Sequence, residues 1–275
     1  KGKMGKLITQ VAAEREDLEL TAGVGPKGRD YIGADLGTVA MVGRELGVPV
    51  TDDLESVIDN CDVIIDFSTK EMAMDVLEQA VAHGKALVCG TTGFTEEEIQ
   101  KFKEAAEKIP MLYAANTSKM VNVMNKLLET VVSILKDDVD IEILEMHDQW
   151  KKDVPSGTSR EMGEIMARAM GKEIGDIAVY GREKGESPRV PGTIGYHSLR
   201  AGNIPSSHTV FFGGMGERLE ITHHSYNWEC FARGACDCAA YLADKPAGFY
   251  TIQDVLGFKK ADSLTVCLFK IHIRL

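Results

Sequence analysis

The sequence predicts a mixed α/β fold with two parts, a parallel sheet covered by helices on both faces and a following α+β part. Up to about residue 118, short apolar runs at 63–67 and 86–89 alternate with helical patterns. Short strands that alternate with helices are typical of parallel sheets. Beyond that point, runs with alternating polar and apolar residues favour an antiparallel sheet with one covered face.

The composition is that of a globular protein. The chain has 275 residues, of which 44% are hydrophobic and 27% charged, which favours one or two domains with a large core. The net charge of −11 disfavours nucleic acid and anionic membranes as partners, and no apolar run reaches the roughly 18 residues of a membrane-spanning helix. The six cysteines lack a CxxC pair, so we expect buried thiols, no metal and a cytoplasmic location, with an N-terminal targeting segment left open.

Hydrophobic spacing predicts the elements of the first part. Met4, Leu7 and Val11 lie on one face of a helix, and Thr95 with Glu98 forms a capping box at the start of another. The expected order is a helix from about residue 3, strand 18–24, strand 63–67, helix 70–83, strand 86–89, helix 95–108 and strand 111–115.

The second part is predicted to begin with a long helix and to continue into a sheet. The expected order is helix 118–137, strand 141–147, helix 156–170, strands 193–200, 209–212 and 218–224, and helix 228–242, with a strand-like stretch at 264–273. The helix at 228–242 is expected to return to the first part.

Gly2-Lys3-Met4-Gly5 precedes the first helix and matches the second half of a dinucleotide-binding turn. Glycines at such a turn let a pyrophosphate approach the backbone N–H groups and the positive end of the helix. The strand and first glycine that normally precede this turn are missing from the sequence, so an ordinary helix start is the alternative. The alternating pattern that follows favours the nucleotide site.

The stretch after strand 18–24 bears on which nucleotide is bound. An Asp or Glu at that point normally binds the ribose 2′-hydroxyl, whereas this sequence has Lys27 and Arg29 and no acidic residue between 24 and 29. A 2′-phosphate is tolerated better without a carboxylate, so NADPH is favoured over NADH. The alternative is a solvated basic loop.

Gly90-Thr91-Thr92-Gly93 follows the apolar strand 86–89. At the carboxyl end of a parallel strand, such a loop can line the ligand crevice. Its small residues would let a nicotinamide approach the backbone, and the alternative is a plain turn.

The densest group of polar residues lies between 145 and 158, where a strand end, a charged loop and a helix start follow one another. Ser156-Gly157-Thr158 offers unpaired N–H groups that suit a carboxylate or phosphate. Lys151 and Lys152 add positive charge, and His147 can carry a proton near pH 7. The group fits an anionic substrate that must receive a proton, and the alternative is a capped helix behind a solvated loop.

With these motifs in order, the chain resembles the 4-hydroxy-tetrahydrodipicolinate reductase (dihydrodipicolinate reductase) family over about residues 2–257. The motifs that carry the resemblance are Gly2-Lys3-Met4-Gly5, Asp66-Phe67-Ser68, Gly90-Thr91-Thr92-Gly93-Phe94, Ala114-Ala115-Asn116, Asn122-Val123, Glu145-x-His147, Lys151-x-Asp153-x-Pro155-Ser156-Gly157-Thr158, Arg189-x-Pro191-Gly192-Thr193-Ile194-Gly195, Gly216-Glu217-x-Leu219-x-Ile221-x-His223 and Asp254-Val255-Leu256. Chance would rarely produce so many ordered motifs at consistent spacing.

The resemblance implies a Rossmann-like nucleotide-binding domain and a substrate-binding domain whose sheet builds a homotetramer. We accordingly assign residues 1–118 and 229–275 to the first domain and 119–228 to the second, with the first Rossmann strand absent from the sequence. The implied reaction is the reduction of a cyclic imine dicarboxylate, or its hydrated form, in lysine and diaminopimelate biosynthesis. NADPH or NADH would supply the hydride.

The resemblance also implies roles for individual residues. His147 and Lys151 would be catalytic and supply the proton. The predicted substrate-binding residues are Asp148, Ser156, Gly157, Thr158 and Thr92. The predicted cofactor-binding residues are Gly2, Lys3, Met4, Gly5, Lys27, Phe67, Gly90, Thr91, Thr92, Ala114 and Asn116.

The chain departs from the family pattern at several positions. Asp148 stands where the family usually has a second histidine, which predicts weaker substrate binding or turnover because it adds negative charge near a dianion. Thr117 and Trp228 replace an expected Phe and Arg near the cofactor, and 258–275 runs beyond the usual end. Two alternative functions therefore stay open: a reductase of a different cyclic imine or carbonyl acid, and a weakly active or inactive paralogue.

Overall fold

The computed structural model describes residues 2–258, so the predicted strand-like stretch at 264–273 lies outside the described residues. In the described range, the helices are α1 (Lys3–Ala13), α2 (Leu36–Ala40), α3 (Lys70–His83), α4 (Glu96–Ala105), α5 (Lys119–Leu135), α6 (Gly157–Ala169), α7 (Ile174–Ile177), α8 (Glu229–Leu242) and α9 (Ile252–Val255). The strands are β1 (Gly23–Val24), β2 (Val50–Thr51), β3 (Val63–Asp66), β4 (Ala86–Cys89), β5 (Pro110–Tyr113), β6 (Asp140–His147), β7 (Ala178–Tyr180), β8 (Ile194–Arg200), β9 (Ser206–Gly213), β10 (Arg218–Ser225) and β11 (Gly248–Tyr250).

The first part is built on a parallel four-stranded sheet in the order β11-β5-β4-β3. Helices α3 and α4 pack on one face around Leu77 and Phe102. Helices α8 and α9 pack on the other face around Leu242 and Ile252. The predicted parallel sheet with helices on both faces is therefore confirmed.

The predicted strand 18–24 is shorter in the structure. Only Gly23 and Val24 form a ladder, and they pair with β2, which is itself two residues long. Leu18 and Leu20 instead belong to the apolar cluster around α1, to which Ile65 of β3 also contributes. In the described residues, β1 and β3 thus belong to separate sheets. The segment before β1 and the strand β3 both pack against the apolar cluster around α1.

Helices α1 and α8 pack side by side and run in the same direction. At their N-terminal ends, the ammonium of Lys3 lies 3.9 Å from the centre of the Trp228 ring. Further along, Arg15 forms a 2.6 Å ion pair with Asp237. Met4, in the first turn of α1, packs near Phe67, the residue that follows β3. The start of α1 therefore faces the carboxyl edge of the four-stranded sheet.

The loop after β5 is fixed against the first turns of α8. The hydroxyl of Thr117 donates a 2.7 Å hydrogen bond to the carbonyl oxygen of Phe231. A Cβ atom on Gly234 would lie 1.7 Å from the Thr117 carbonyl oxygen, so this close approach requires glycine at position 234. The N-terminal part of α8 is thereby held at the same sheet edge as that of α1.

The second part is built on a five-stranded sheet in the order β10-β9-β6-β8-β7. The prediction of an antiparallel sheet is only partly right, because β9 is antiparallel to β6 and β10 whereas β8 is parallel to β6 and β7. The cause is the crossover through α6 and α7, which returns the chain to the sheet in the direction of β6.

One face of this sheet packs against α5 and α6 and changes character along its length. The apolar side chains at one end are Ile141, Ile143, Ile194, Tyr196, Val210 and Phe212, which pack against Val121, Leu128, Met162 and Met166. Side chains alternate between the two faces of a strand, so Glu145 and His147 share this covered face with Ile143. The face thus passes from apolar core to polar site within two residues of β6.

Candidate functional site

Strand register brings the polar residues of the covered face together. His147 of β6 lies opposite Arg200 of β8, and Glu145 lies opposite His208 of β9. His208 in turn lies opposite His223 of β10. Directly opposed residues on neighbouring strands are only about 5 Å apart. The predicted catalytic His147 therefore belongs to a group of ionisable side chains assembled from four strands.

His147 is buried and makes a hydrogen bond through each ring nitrogen. Its Nδ1 lies 2.5 Å from Oε2 of Glu145, and its Nε2 lies 3.2 Å from the hydroxyl of Ser206. Burial alone would raise the pKa of Glu145, but hydrogen bonds from His147 and Arg200 outweigh it and lower that pKa to about 2. Because an ionised carboxylate only accepts, Nδ1 carries a proton and Nε2 is the nitrogen available for proton exchange.

Arg200 compensates the buried charge of Glu145. Its two terminal nitrogens lie 2.9 Å and 2.8 Å from the two oxygens of that carboxylate. The carboxylate is 1% exposed and the guanidinium 18% exposed, so the pair is shielded from water on most sides. Paired, planar contacts of this kind are among the strongest hydrogen bonds in proteins.

His208 is buried beside His147. The centres of the two rings are 5.3 Å apart with the planes at 75°. Its Nε2 lies 3.0 Å from the hydroxyl of Ser156, the residue that caps α6. Burial, followed by the charge of His147, lowers the pKa of His208 to about 3. His208 therefore stays neutral at ordinary pH and links the sheet to the start of α6.

The loop between β6 and α6 carries the second predicted catalytic residue. The ammonium of Lys151 lies 2.6 Å from Oδ1 of Asp153, and this contact holds the pKa of Asp153 below its usual range. Asp148 is half-buried, and its Oδ1 accepts a 2.8 Å hydrogen bond from the backbone N–H of Trp150. Asp148 therefore stabilises the loop through this hydrogen bond. Its role in substrate binding stays a prediction.

The start of α6 lies beside this loop. The hydroxyl of Ser156 accepts a 3.2 Å hydrogen bond from the N–H of Ser159 and so caps the helix. Gly157 is exposed and Thr158 half-buried at the first positions of α6, where N–H groups have no acceptor within the helix. The hydroxyl of Ser156 therefore fixes the first turn of α6, where the anion site is predicted.

One contact joins the two parts of the chain at this point. The side-chain amide of Asn116, in the loop after β5, lies 3.3 Å from the hydroxyl of Thr158. The other end of the same amide accepts a hydrogen bond from the N–H of Ser118, which fixes its orientation. A predicted cofactor-binding residue and a predicted substrate-binding residue are thus in direct contact.

The loops after β3 and β4 are tied together by Asp66. This buried carboxylate accepts hydrogen bonds from the hydroxyls of Thr91 at 2.7 Å and Ser68 at 2.5 Å. The Thr91 hydroxyl also accepts from the Ser68 N–H. The side chain of Thr91 is therefore used within the protein, whereas Thr92 is exposed.

Gly90 leaves room for an aromatic ring at the end of β4. A Cβ on Gly90 would lie 2.2 Å from the ring of Phe67, so only glycine fits against this side chain. Ala114, which follows β5, is also small and buried. These small residues bring backbone to the edge of the sheet, which fits the flat face of a nicotinamide.

The start of α1 is open in the way a pyrophosphate site requires. A Cβ on Gly2 or Gly5 would meet no atom within 4 Å, and no side chain caps the helix. Met4 packs into the apolar cluster, so only its backbone faces outward, while Lys3 lies on Trp228. Lys27 is exposed in the loop after β1. The start of α1 thus leaves its first N–H groups open, and Lys27 lies beyond the end of β1 in the two-stranded sheet.

Sequence reasoning assigned no role to Glu145, Arg200, His208 or Asp66. Glu145 and Asp66 stand within the motifs that carry the resemblance. An acidic residue two positions before His147 could have predicted a partner for that histidine. Arg200 and His208 could not be linked to His147, because their closeness depends on strand order.

Two other features of residues 2–258 complete the description. No group of three or more His, Cys, Asp or Glu side chains in that range is arranged to hold a metal ion. None of the helices in the same range combines the length and apolar character that crossing a bilayer requires.

Comparison with known proteins gives consistent matches along the chain. The family model "Dihydrodipicolinate reductase, N-terminus" matches residues 1–117, and "Dihydrodipicolinate reductase, C-terminus" matches residues 120–256. The chain is 42% identical to the 4-hydroxy-tetrahydrodipicolinate reductase of Hahella chejuensis over 258 residues, and 44% identical to that of Pseudomonas fluorescens over 259 residues. Each alignment covers 94% of this chain and 96% of the relative.

A solved structure is similar over most of both chains. It is a dihydrodipicolinate reductase from Paenisporosarcina sp. TG-14 with bound dipicolinate, at a TM-score of 0.73 and 25% identity. The match covers 91% of this chain and 94% of that chain.

The buried, neutral His208 predicts a specific pH dependence of stability. Unfolding returns its pKa from about 3 to the ordinary 6.5, so the unfolded chain gains a proton that the folded chain excludes. The free energy of unfolding should therefore fall as the pH drops from about 7 to about 5. His208→Gln should reduce this slope, as measured by urea unfolding at the two pH values.

The control is Thr130→Gln, an exposed position on α5, which exchanges two uncharged side chains and should keep the wild-type slope. His223, whose pKa is also lowered by burial, remains in all three proteins. Glu145 contributes only below its ordinary value of 4.5, outside this window. Equal slopes for wild type and His208→Gln would contradict the prediction.

Proposed function

This chain belongs to the dihydrodipicolinate reductase family, and we propose that it reduces 4-hydroxy-tetrahydrodipicolinate to tetrahydrodipicolinate with NADPH or NADH as hydride donor. The family models cover both parts of the chain. The observation that carries the proposal is the Asn116–Thr158 contact, because it joins the nucleotide loops to the helix start beside Lys151. No observation favours a different cyclic imine or an inactive paralogue.

The substrate is a dicarboxylate, and the start of α6 suits one carboxylate. The N–H groups of Gly157 and Thr158 belong to the first turn, where a helix attracts anions. Lys151 supplies a nearby cation, already oriented by Asp153. The relative from Paenisporosarcina sp. TG-14 holds dipicolinate, a dicarboxylate, and thereby supports this class of ligand.

The proton is supplied by His147 and Lys151. The 4-hydroxyl group leaves the substrate as water, which gives the unsaturated cyclic imine. Hydride addition to that imine leaves negative charge on the ring, which a positioned acid must neutralise. Glu145 holds Nδ1 of His147, so Nε2 is the nitrogen that donates. Glu145 also stabilises the imidazolium that precedes donation, in the way a carboxylate orients a catalytic histidine in other enzymes.

The nucleotide is held along the edge where β3, β4 and β5 end. When bound, its nicotinamide ring supplies the hydride. Gly90 and Ala114 give backbone access at this edge, and the open start of α1 accepts the pyrophosphate. Asn116 faces both this edge and Thr158, which limits the distance between donor and substrate.

NADPH is the preferred nucleotide. Lys27 and Arg29 are exposed in the loop after β1, and the Gly28 N–H is held by Asp52 at 3.3 Å. A 2′-phosphate next to this loop gains from the two cations, and the Asp52 carboxylate that lies against the loop is already bound by the Gly28 N–H.

The protein is a homotetramer, and the uncovered face of the five-stranded sheet is its contact surface. This face carries Leu144, Met146 and Phe211, all half-buried, and Leu199, which is 49% exposed. Within residues 2–258, the α5 and α6 helices cover the opposite face, so a second chain would cover the exposed parts of these apolar side chains.

The protein is located in the cytoplasm. Cys61, Cys89, Cys230, Cys236 and Cys238 are all unpaired, and three of them are buried. Free thiols of this kind are typical of a reducing compartment.

The activity is tested by nucleotide oxidation on addition of freshly generated 4-hydroxy-tetrahydrodipicolinate. Wild type should turn over, whereas His147→Gln and Lys151→Met should lower kcat by about 10²- to 10⁴-fold, because each removes a proton donor. Lys126→Met, which removes a lysine paired with Glu129 on α5, serves as the control. A wild type that binds nucleotide but does not turn over would refute the proposed substrate.

The nucleotide preference is tested at Lys27. Lys27→Glu should raise KM for NADPH by roughly 10-fold and leave KM for NADH nearly unchanged, since only NADPH carries the 2′-phosphate. Lys101→Glu, an exposed change on α4, should alter neither value. Equal effects on both nucleotides would mean that Lys27 does not contact the 2′-phosphate.

The assembly is tested by sedimentation velocity. Wild type should sediment as four chains of 30.1 kDa, and Leu199→Lys should shift the population toward smaller species. Leu127→Lys on α5 is the matched control, because Leu127 and Leu199 are both 49% exposed. A wild-type monomer would contradict the proposed tetramer.

A further inference from the structure

We propose that Arg200 is a positioning residue that fixes His147 and the Lys151 loop in one geometry. The inference rests on the proposed function, since it concerns how the two proton donors of that reaction are arranged. Arg200 is the last residue of β8, opposite His147 in the sheet. Neither residue adjoins the other in the chain, so the side chain of Arg200 connects two otherwise separate segments.

All five N–H groups of the Arg200 guanidinium have an acceptor. One hydrogen from each terminal nitrogen goes to the Glu145 carboxylate, at 2.9 Å and 2.8 Å. The other two go to the carbonyl oxygens of Leu199 at 2.8 Å and Asp153 at 2.7 Å. The Nε hydrogen goes to the carbonyl oxygen of Lys151 at 3.3 Å. The guanidinium thus holds the acid that orients His147 and two carbonyls of the loop.

Arg200 binds two carbonyl groups of the loop between β6 and α6. Loop 148–156 carries Lys151 and Asp153 on either side of one exposed residue, and it joins β6 to α6. Arg200 binds the carbonyls of both, which fixes the backbone from which the Lys151 ammonium extends. Lysine at position 200 would offer one charged nitrogen on a flexible stem and could not reach both segments together.

Arg200 also sets the charge beside His147. The charged or titratable groups around the His147–His208 pair are Glu145 on β6, Arg200 on β8, His223 on β10, and Asp148 and Lys151 in the loop. Glu145 places a negative charge beside Nδ1 of His147, and Arg200 places a positive charge beside Glu145. Removing either partner should therefore displace the pH dependence of catalysis in opposite directions.

The test is steady-state kinetics across pH with NADPH and freshly generated 4-hydroxy-tetrahydrodipicolinate. Arg200→Lys should lower kcat/KM for the substrate by about 10- to 100-fold, with the Kd for NADPH within twofold of wild type. Arg200→Met should move the alkaline decline of kcat to higher pH, because Glu145 is left unbalanced. Glu145→Gln should move it to lower pH.

Arg233→Lys is the matched control, because Arg233 pairs with Glu229 on the surface of α8. Circular dichroism and urea unfolding show whether each variant is folded. If Arg200→Met does not fold, Arg200→Lys still tests the inference, because lysine keeps the positive charge at position 200. Wild-type turnover with an unchanged Arg200→Lys would overturn the inference, as would equal displacement of the pH decline in Arg200→Met and Glu145→Gln. Absence of wild-type turnover would instead refute the proposed function.

Discussion

The arrangement of the site depends on one buried carboxylate. Glu145 is 1% exposed and remains ionised only because His147 and Arg200 donate hydrogen bonds to it. A buried charge that lost these partners would cost several kcal/mol, so each partner is constrained to its present geometry. That constraint selects the tautomer of His147 and orients its Nε2. It also sets the place of Arg200, and through Arg200 the backbone of the Lys151 loop.

The carboxylate could not be satisfied in this way if the sheet were wholly antiparallel. The parallel pairing of β6 and β8 puts Arg200 opposite His147, and the antiparallel pairing with β9 puts His208 opposite Glu145. The crossover through α6 and α7 gives β7 the direction of β6, and the connection 181–193 then gives β8 the same direction. The first of these crossovers also presents the N-terminus of α6, the predicted anion site, beside the loop that Arg200 binds.

Local chemistry explains what the sequence could predict. The Thr95–Glu98 capping box, the helix start at 156 and the apolar strands predicted at 86–89 and 63–67 depend on residues close in the chain. Each is found in the structure, the last of them as Val63–Asp66. The resemblance likewise predicted the family because its motifs are local. Strand direction, the burial of His208 and the two-residue length of β1 depend on which strands become neighbours, and hydrophobic spacing does not encode that.

The interface between the two parts accounts for the order of small and polar residues at the sheet edge. Gly234 lets α8 approach Thr117, whose loop continues into Ser118, the cap of α5. Asn116 in the same loop bonds Thr158 at the start of α6. The backbone that follows β5 is thus held from both sides, by the first part of the chain and by the second. The proposed hydride transfer between a nucleotide held by one part and a substrate held by the other would require such a fixed span, because catalysis gains from positioning only when both groups are held.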